Sequence, residues 1–186
     1  MKLFYTTLCN KTKIHGTRDI LIFISFVILL TFINKNIFKI VVVSGESMYP
    51  TLSNNDIIIV NQFRYKPSRG DIILVDIKDS SIFGKYMVKR VIGLGGDTVT
   101  LNYDNNSILV NNQEVPEPYL NLEYDDPMIS VDGESVISYQ IPPGTIFVLG
   151  DNRNNSIDSR NIKIGMVSEE DIIGYLCLHF PLATFQ

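Results

Sequence analysis

Ser47 and Lys89 are the residues of this sequence whose types and surroundings best suit nucleophilic catalysis. Ser47 follows a run of valines and a glycine in VVVSGESMYPTL, and Lys89 lies among apolar residues in YMVKRVIG. A serine nucleophile needs a base. Burial among apolar groups lowers the pKa of a lysine by ~3–5 units from its usual ~10.4, which allows it to accept a proton. The pair therefore predicts serine chemistry with a neutral lysine as the base.

Plainer interpretations exist for both stretches. Glycine, serine and proline are common turn residues, and a lysine in a strand can protect a sheet edge from aggregation. The usual base is histidine, but His15 precedes a long apolar segment, and His179 has no obvious aspartate to orient it. We expect a packing or surface role for His179. A catalytic pair of Cys177 with His179 is less favoured still, because residues two apart on a strand share a face but lie too far apart for a tight pair.

Residues 149–160, LGDNRNNSIDSR, carry two Asp, two Arg and two Ser directly after the apolar stretch TIFVL. This composition fits either a solvated loop or a loop that braces a buried site with paired charges. The sequence has no C-x-x-C or H-E-x-x-H pattern, so it predicts no metal site. The glycines of GLGGD, residues 93–97, predict a tight turn between two strands, and we expect no cofactor.

The N-terminal segment differs from the rest of the chain of 186 residues. Residues 1–40 hold six basic residues and one acidic residue, whereas residues 41–186 hold ten basic and nineteen acidic residues. The acidic body argues against nucleic acid as a partner. Residues 20–33 are uncharged, and basic residues precede them, so we expect a transmembrane anchor over 19–38, with residues 1–18 cytoplasmic. A cleavable secretory signal is the alternative, but no A-x-A-like site follows.

The body, residues 39–186, shows short β-rich runs separated by turns and no long amphipathic helical period. We predict a mainly β fold of strongly bent antiparallel sheets or a partly closed barrel. Residues 103–135 are polar and predict a small irregular cap. The predicted strands are 39–46, 56–63, 71–77, 85–94, 97–102, 107–111, 135–140, 145–150 and 172–179.

Four segments, SGESMYPTL, RGDIILV, KRVIGLGGD and GDNRNNSIDSR, occur in the order and spacing found in type I signal peptidases. VNNQEVPEPYL resembles a weaker segment of that family. Over about residues 20–180 the chain resembles the Gram-positive form of these membrane-anchored Ser-Lys proteases. The resemblance implies cleavage of signal peptides from exported preproteins after A-x-A-type sites. It also implies no cofactor, contact with membrane lipid, and an extracytoplasmic catalytic domain on a single-pass anchor in the cytoplasmic membrane.

The resemblance also implies roles for individual residues. Ser47 is the nucleophile, Lys89 is the general base, and Ser156 orients the amine of Lys89. The backbone N–H of Ser47 supplies one oxyanion donor. Some members have a serine hydroxyl as the second donor where this sequence has Gly45, so a backbone group at Gly45 is expected there.

Two structural ion pairs are implied, Asp151 with Arg90 and Asp158 with Arg160. The substrate is expected to lie extended as an added strand along residues 41–46, with shallow pockets for small side chains. The residues at matching places in those pockets are Val41, Val43, Met48, Leu52, Met87 and Val88.

Three other functions are compatible with parts of this sequence. A self-cleaving repressor also uses Ser-Lys chemistry, but it needs a DNA-binding domain where this chain has an apolar segment. A eukaryotic-type signal peptidase has histidine at the position of Lys89. A membrane-anchored β-domain that binds peptides without cleaving them remains open, although both Ser47 and Lys89 are present.

Overall fold

The computed structural model describes residues 16–32, 37–78, 86–120, 127–130 and 133–182. The chain divides into two compact units, Met1–Lys39 and Ile40–Gln186. In the first unit, residues 16–32 are helical and their side chains are exposed. Within the described ranges, no helix is both long enough and apolar enough to cross a membrane. The expected span over 19–38 includes residues 33–36, which lie outside the described residues.

Among the described residues, eleven strands account for most of the regular structure, and a short 3₁₀ helix, Glu169–Asp171, precedes the last of them. In chain order they are β1 (Phe38–Val42), β2 (Ile57–Asn61), β3 (Ile72–Asp76), β4 (Tyr86–Leu94), β5 (Thr98–Asn102), β6 (Ser107–Val110), β7 (Gln113–Glu114), β8 (Val136–Gln140), β9 (Thr145–Leu149), β10 (Val167–Ser168) and β11 (Ile172–Phe180).

Two antiparallel sheets are formed by these strands. The larger has the order β1-β2-β11-β3-β4-β9-β10, and the smaller has the order β7-β6-β5-β8. In the smaller sheet, β5 alternates buried and half-buried side chains, as expected for a strand with one face on the core. Strand β4, with six of its nine residues buried, lies inside the larger sheet between β3 and β9.

All nine predicted strands have a counterpart, so the mainly β antiparallel prediction is confirmed. Strands β7 and β10 were not predicted, because two residues are too short to show alternation. The first strand ends at Val42 rather than at residue 46. Gly45 has a φ of 93°, which is outside the extended range, so the backbone turns before Ser47. Within residues 103–135, strands β6 and β7 extend the smaller sheet, so this stretch includes regular structure.

Strand β4 brings two basic side chains to the site. In the pairing with β3, Lys89 lies opposite Ile73 and Arg90 opposite Ile72. Because successive side chains on a strand point to opposite faces, Lys89 and Arg90 leave the sheet on different sides. Strand β9 pairs with the other edge of β4, Leu149 opposite Arg90, and delivers the following loop to the same place.

Candidate active site

Ser47 and Lys89, which are 42 residues apart in the chain, meet at a polar contact. Lys89 Nζ lies 2.6 Å from Ser47 Oγ and 2.9 Å from the carbonyl oxygen of Val88. Lys89 as a residue is only 4% exposed. Lys89 is held by a central strand, whereas Ser47 stands on the turn that follows β1. The structure therefore places a hydroxyl and a buried amine at hydrogen-bonding distance.

Burial lowers the pKa of Lys89 to about 8. The carboxylates of Asp158 and Asp151 act in the opposite direction by favouring the ammonium form. With a pKa of about 8, about a tenth of the amine is neutral at pH 7. The amine can therefore accept a proton from the neighbouring hydroxyl at moderately alkaline pH.

A cleft of about 660 Å³ opens onto this pair. Of the six residues predicted to form substrate pockets, five line it: Val41, Val43, Met48, Met87 and Val88. The prediction for Leu52 is wrong, because Leu52 does not line the cleft. It is fully buried and packs in the core with the other apolar residues beneath the cleft.

Further apolar residues line the cleft that the sequence did not single out: Leu74, Ile77, Tyr86, Ile157 and Ile164. Leu74 lies opposite Val88 in the pairing of β3 with β4. A single sequence does not show which residues of two strands lie opposite each other, so the position of Leu74 beside Val88 could not be predicted. The cleft therefore has more apolar lining residues than the sequence predicted.

The predicted ion pairs are both present. Arg90 donates to Asp151 through Nε at 2.8 Å and Nη2 at 2.6 Å, and Arg160 donates to Asp158 through Nε and Nη2 at 2.9 Å each. All four side chains are at most 9% exposed. Two-point Arg–carboxylate bonds fix orientation as well as distance. The backbone N–H of Asn152 donates to the carbonyl of Ser47 at 3.0 Å, which ties this loop to the serine turn.

Ser156 lines the same cleft, but it makes no hydrogen bond to Lys89 in this structure. Its hydroxyl is buried and has no hydrogen-bond partner in the described part of the chain. The orienting role of Ser156 stays a prediction.

The two expected oxyanion donors differ in availability. The backbone N–H of Gly45 donates to Asn54 Oδ1 at 2.9 Å, so it is already engaged within its own turn. Ser47 N–H makes no hydrogen bond to any residue that the structure describes. The geometry therefore favours Ser47 N–H over Gly45 N–H as a donor to a developing oxyanion.

Arg153 is a buried charge that sequence reasoning did not single out, 5% exposed and paired with Glu117. The ring of Tyr119 lies 3.7 Å from Arg90 Cζ, and Thr51 donates to Asp151 at 2.5 Å. The only available signal for Glu117 and Tyr119 was that both fall within the weakly matching segment VNNQEVPEPYL.

His179 does have an aspartate partner, contrary to the sequence-based expectation. Its Nε2 lies 2.7 Å from Asp56 Oδ2. Burial of Asp56 opposes ionisation, but hydrogen bonds from the Ser53 backbone and from His179 outweigh it and lower the pKa of Asp56. Neither member of this pair lines the cleft. In the described ranges, no cluster of His, Cys, Asp and Glu could hold a metal ion.

Comparison with known proteins gives one consistent family. Residues 17–180 match the family described as signal peptidase, peptidase S26. Signal peptidase I U of Bacillus subtilis (strain 168) is 38% identical over 180 residues, which cover 94% of this chain and 91% of that protein. Signal peptidase I T of the same organism is 36% identical over 154 residues, covering 80% and 76%. A solved signal peptidase I from Enterococcus faecalis V583 is 30% identical and covers 61% of this chain and 98% of that one, with a TM-score of 0.46.

Proposed function

The chain belongs to the signal peptidases of peptidase family S26, and on that premise we propose that it cleaves the signal peptides of exported preproteins after small residues in A-x-A-type sites. Ser47 is the nucleophile and Lys89 is the neutral general base. The observation that carries this assignment is the 2.6 Å contact between Ser47 Oγ and a buried amine whose pKa is lowered to about 8.

In the first step Lys89 Nζ takes the proton of Ser47 as Oγ attacks the scissile carbonyl carbon. Ser47 N–H stabilises the negative charge that develops on the carbonyl oxygen. The C–N bond then breaks, and the ammonium of Lys89 returns its proton to the leaving amine. Water attacks the resulting ester with Lys89 again as base, which releases the cleaved signal peptide and restores the serine.

Ser156 is assigned the role of orienting the amine during these steps. Its hydroxyl is buried at the same cleft and has no partner among the described residues, so it is available to the Lys89 amine once substrate fills the cleft. The structural ion pairs of Arg90 with Asp151 and of Arg160 with Asp158 keep the supporting loop in place.

The substrate lies extended against residues 41–46, with its small side chains directed into the apolar cleft. Val41, Val43, Met48, Met87 and Val88 are the lining residues that limit side-chain size. We assign no cofactor and no nucleic-acid partner, because the dyad supplies both nucleophile and base and the body is acidic.

Membrane anchoring completes the proposal. Residues 20–33 carry no charge, and basic residues precede them. We infer a single-pass anchor over 19–38 with residues 1–18 in the cytoplasm, which brings the catalytic domain, 39–186, to the outer surface and into contact with membrane lipid.

Purified enzyme and its Ser47→Ala variant, assayed on a peptide with an A-x-A signal-cleavage site, test the proposed function. We expect Ser47→Ala to abolish cleavage while the protein still folds and unfolds cooperatively, because a hydroxyl on a turn contributes little packing. Ser68→Ala is the matched control, since Ser68 is an exposed serine outside the cleft, and it should keep the wild-type activity. Binding of the peptide by wild-type protein without cleavage would instead identify a non-catalytic peptide-binding domain.

A further inference from the structure

Residues 117–119, Glu-Pro-Tyr, include two side chains, Glu117 and Tyr119, that contact buried charges of the site without lining the cleft. We name residues 117–119 the clamp segment. The segment belongs to the long excursion between β7 and β8. Its two functional side chains, Glu117 and Tyr119, reach two different arginines, Arg153 and Arg90.

Glu117 holds Arg153 through two hydrogen bonds, one from Nη1 to Oε2 at 3.0 Å and one from Nη2 to Oε1. The Arg153 and Glu117 side chains are 4% and 9% exposed, so water competes little for this pair. Arg153 Nε in turn donates to the carbonyl oxygen of Gly150 at 3.1 Å. The N–H of Gly150 donates to Asp158 Oδ2 at 3.0 Å. Both polar backbone groups of Gly150 are therefore held by buried charges.

Gly150 lies directly against both serines of the site. A Cβ atom at this position would come within 2.2 Å of Ser156 Oγ and 2.4 Å of the carbonyl oxygen of Ser47. A displacement of Gly150 would therefore be transmitted to Ser47 and Ser156 by direct contact. The hydrogen bonds of Glu117 therefore reach these serines through Arg153 and Gly150.

Tyr119 acts on the other arginine. Its ring centroid lies 3.7 Å from Arg90 Cζ, within the range of a cation–π contact. Arg90 is the neighbour of Lys89 on β4 and is bonded to Asp151. The Tyr119 hydroxyl donates to Glu117 Oε1 at 2.6 Å, which joins the two arms of the clamp. Burial raises the pKa of Tyr119, so the phenol keeps this proton at working pH.

From this geometry we propose that the clamp segment is a positioning device for catalysis, in which Glu117 and Tyr119 fix Gly150 and Arg90 and thereby set the Ser47–Lys89 contact. The inference rests on the proposed Ser-Lys function. Glu117 and Tyr119 are positioning residues, since neither lines the substrate cleft. Their loss should lower kcat and leave KM nearly unchanged.

Two substitutions at position 119 test whether the aromatic ring against Arg90 is needed for catalysis. Tyr119→Leu removes the aromatic face from Arg90 but keeps an apolar side chain, and we expect kcat to fall about tenfold with KM within about twofold of wild type. Tyr119→Phe keeps the ring and should retain most of kcat. Equal kcat values for wild type and Tyr119→Leu, or equal losses in the Leu and Phe variants, would overturn the role of the ring.

Glu117→Gln tests the charge, with Glu114→Gln as the matched control because Glu114 is an exposed acid three residues earlier. In the wild-type protein, Glu117 neutralises the charge of Arg153. Without Glu117, the full charge of Arg153 acts on Asp151 and reduces the effect of that carboxylate on the pKa of Lys89. Asp151 and Asp158 are the carboxylates that favour the ammonium form of Lys89. We therefore expect the pH of half-maximal kcat/KM to fall in Glu117→Gln and to stay unchanged in Glu114→Gln.

If the clamp segment only stabilises the fold and does not position the catalytic residues, the variants should show a different combination of stability and kinetics. In that case Tyr119→Leu and Glu117→Gln lower the unfolding temperature, while kcat per folded molecule and the pH profile match wild type, and the inference fails. Dyad variants assayed in parallel separate the two proposals. If Ser47→Ala and Lys89→Arg keep activity, the proposed function itself is wrong. If they lose activity and the clamp variants behave as wild type, only the clamp is wrong.

Discussion

At the scale of single residues, Lys89 shows what the sequence could and could not predict. Its apolar neighbours on β4 predicted burial, and the residue is buried. Other assignments depended on loop closure, which a single sequence does not contain. Leu52 packs in the core because the turn after Ser47 folds back on β2, and the N–H of Gly45 is engaged by a side chain nine residues away. Leu52 and Gly45 therefore could not be placed by spacing alone.

Lys89→Met should make the protein more stable at neutral pH. The pKa of Lys89 is about 8 in the folded protein and 10.5 when unperturbed, so the unfolded chain binds more protons between these values. The penalty for the lysine is therefore complete below pH 8 and shrinks as the pH rises towards 10.5. We expect the free energy of unfolding at pH 7 to rise by about 3 kcal/mol.

Urea denaturation at pH 7 and at pH 10.5 measures this effect. The gain should be present at pH 7 and largely absent at pH 10.5. Lys163→Met is the control, because Lys163 is exposed and should show no such gain. Equal stability of Lys89→Met and wild type at pH 7 would mean that the lysine is not held in a site that disfavours its charge.

At the scale of elements, β-rich runs bounded by turn residues located every described strand of four or more residues, including β3, β4 and β9, whose consecutive buried residues show that both faces are covered. The two-residue strands β7 and β10 were not predicted, because two residues are too short to show alternation, even though β7 pairs with its neighbour in sequence, β6. The loop after β9 was predicted to brace the site with paired charges. The buried Arg153–Glu117 pair between that loop and the clamp segment was not predicted, because nothing in the sequence links residues 36 positions apart.

Gly150→Ala should damage this loop and the active site together. The added Cβ would meet the carbonyl oxygen of Ser47 at 2.4 Å, and backbone yields less readily than a side chain. We expect a loss of ~1–3 kcal/mol in stability, typical of overpacking, and a large drop in kcat per folded molecule. Cleavage kinetics combined with a denaturation curve measure both quantities.

Gly93→Ala is the matched control for this substitution. Its added Cβ would meet side-chain atoms of Ile141 and Val99 at 2.4 and 2.5 Å, in a different part of the core. It should lower stability and leave kcat per folded molecule unchanged. Similar losses of kcat in both variants would show that general overpacking, rather than the position of Gly150, controls activity.

At the scale of the whole molecule, the charge asymmetry between residues 1–40 and the acidic remainder is the basis for the proposed topology. The proposal applies the positive-inside rule, by which membrane orientation depends on where lysine and arginine lie around the apolar run. Both cysteines matter for its test. Cys9 lies before the apolar run and Cys177 lies in β11.

Asp104→Cys, made in a chain lacking Cys9 and Cys177, should react with a membrane-impermeant thiol reagent on intact, wall-stripped cells. Asp104 is exposed in the body of the protein. A chain that keeps only Cys9 is the opposite control and should react only after lysis. The reverse pattern of labelling would invert the proposed topology.

The pH dependence of kcat/KM, measured for the solubilised full-length enzyme on a signal-peptide substrate, tests the central claim most directly. A neutral Lys89 as base predicts activity that rises with pH and is half-maximal near the lysine pKa of about 8. Lys89→Arg should be inactive at every pH, because a guanidinium keeps its proton, while His179→Ala should keep the wild-type profile. An active Lys89→Arg enzyme, or a profile that disappears in His179→Ala, would contradict the Ser47–Lys89 dyad.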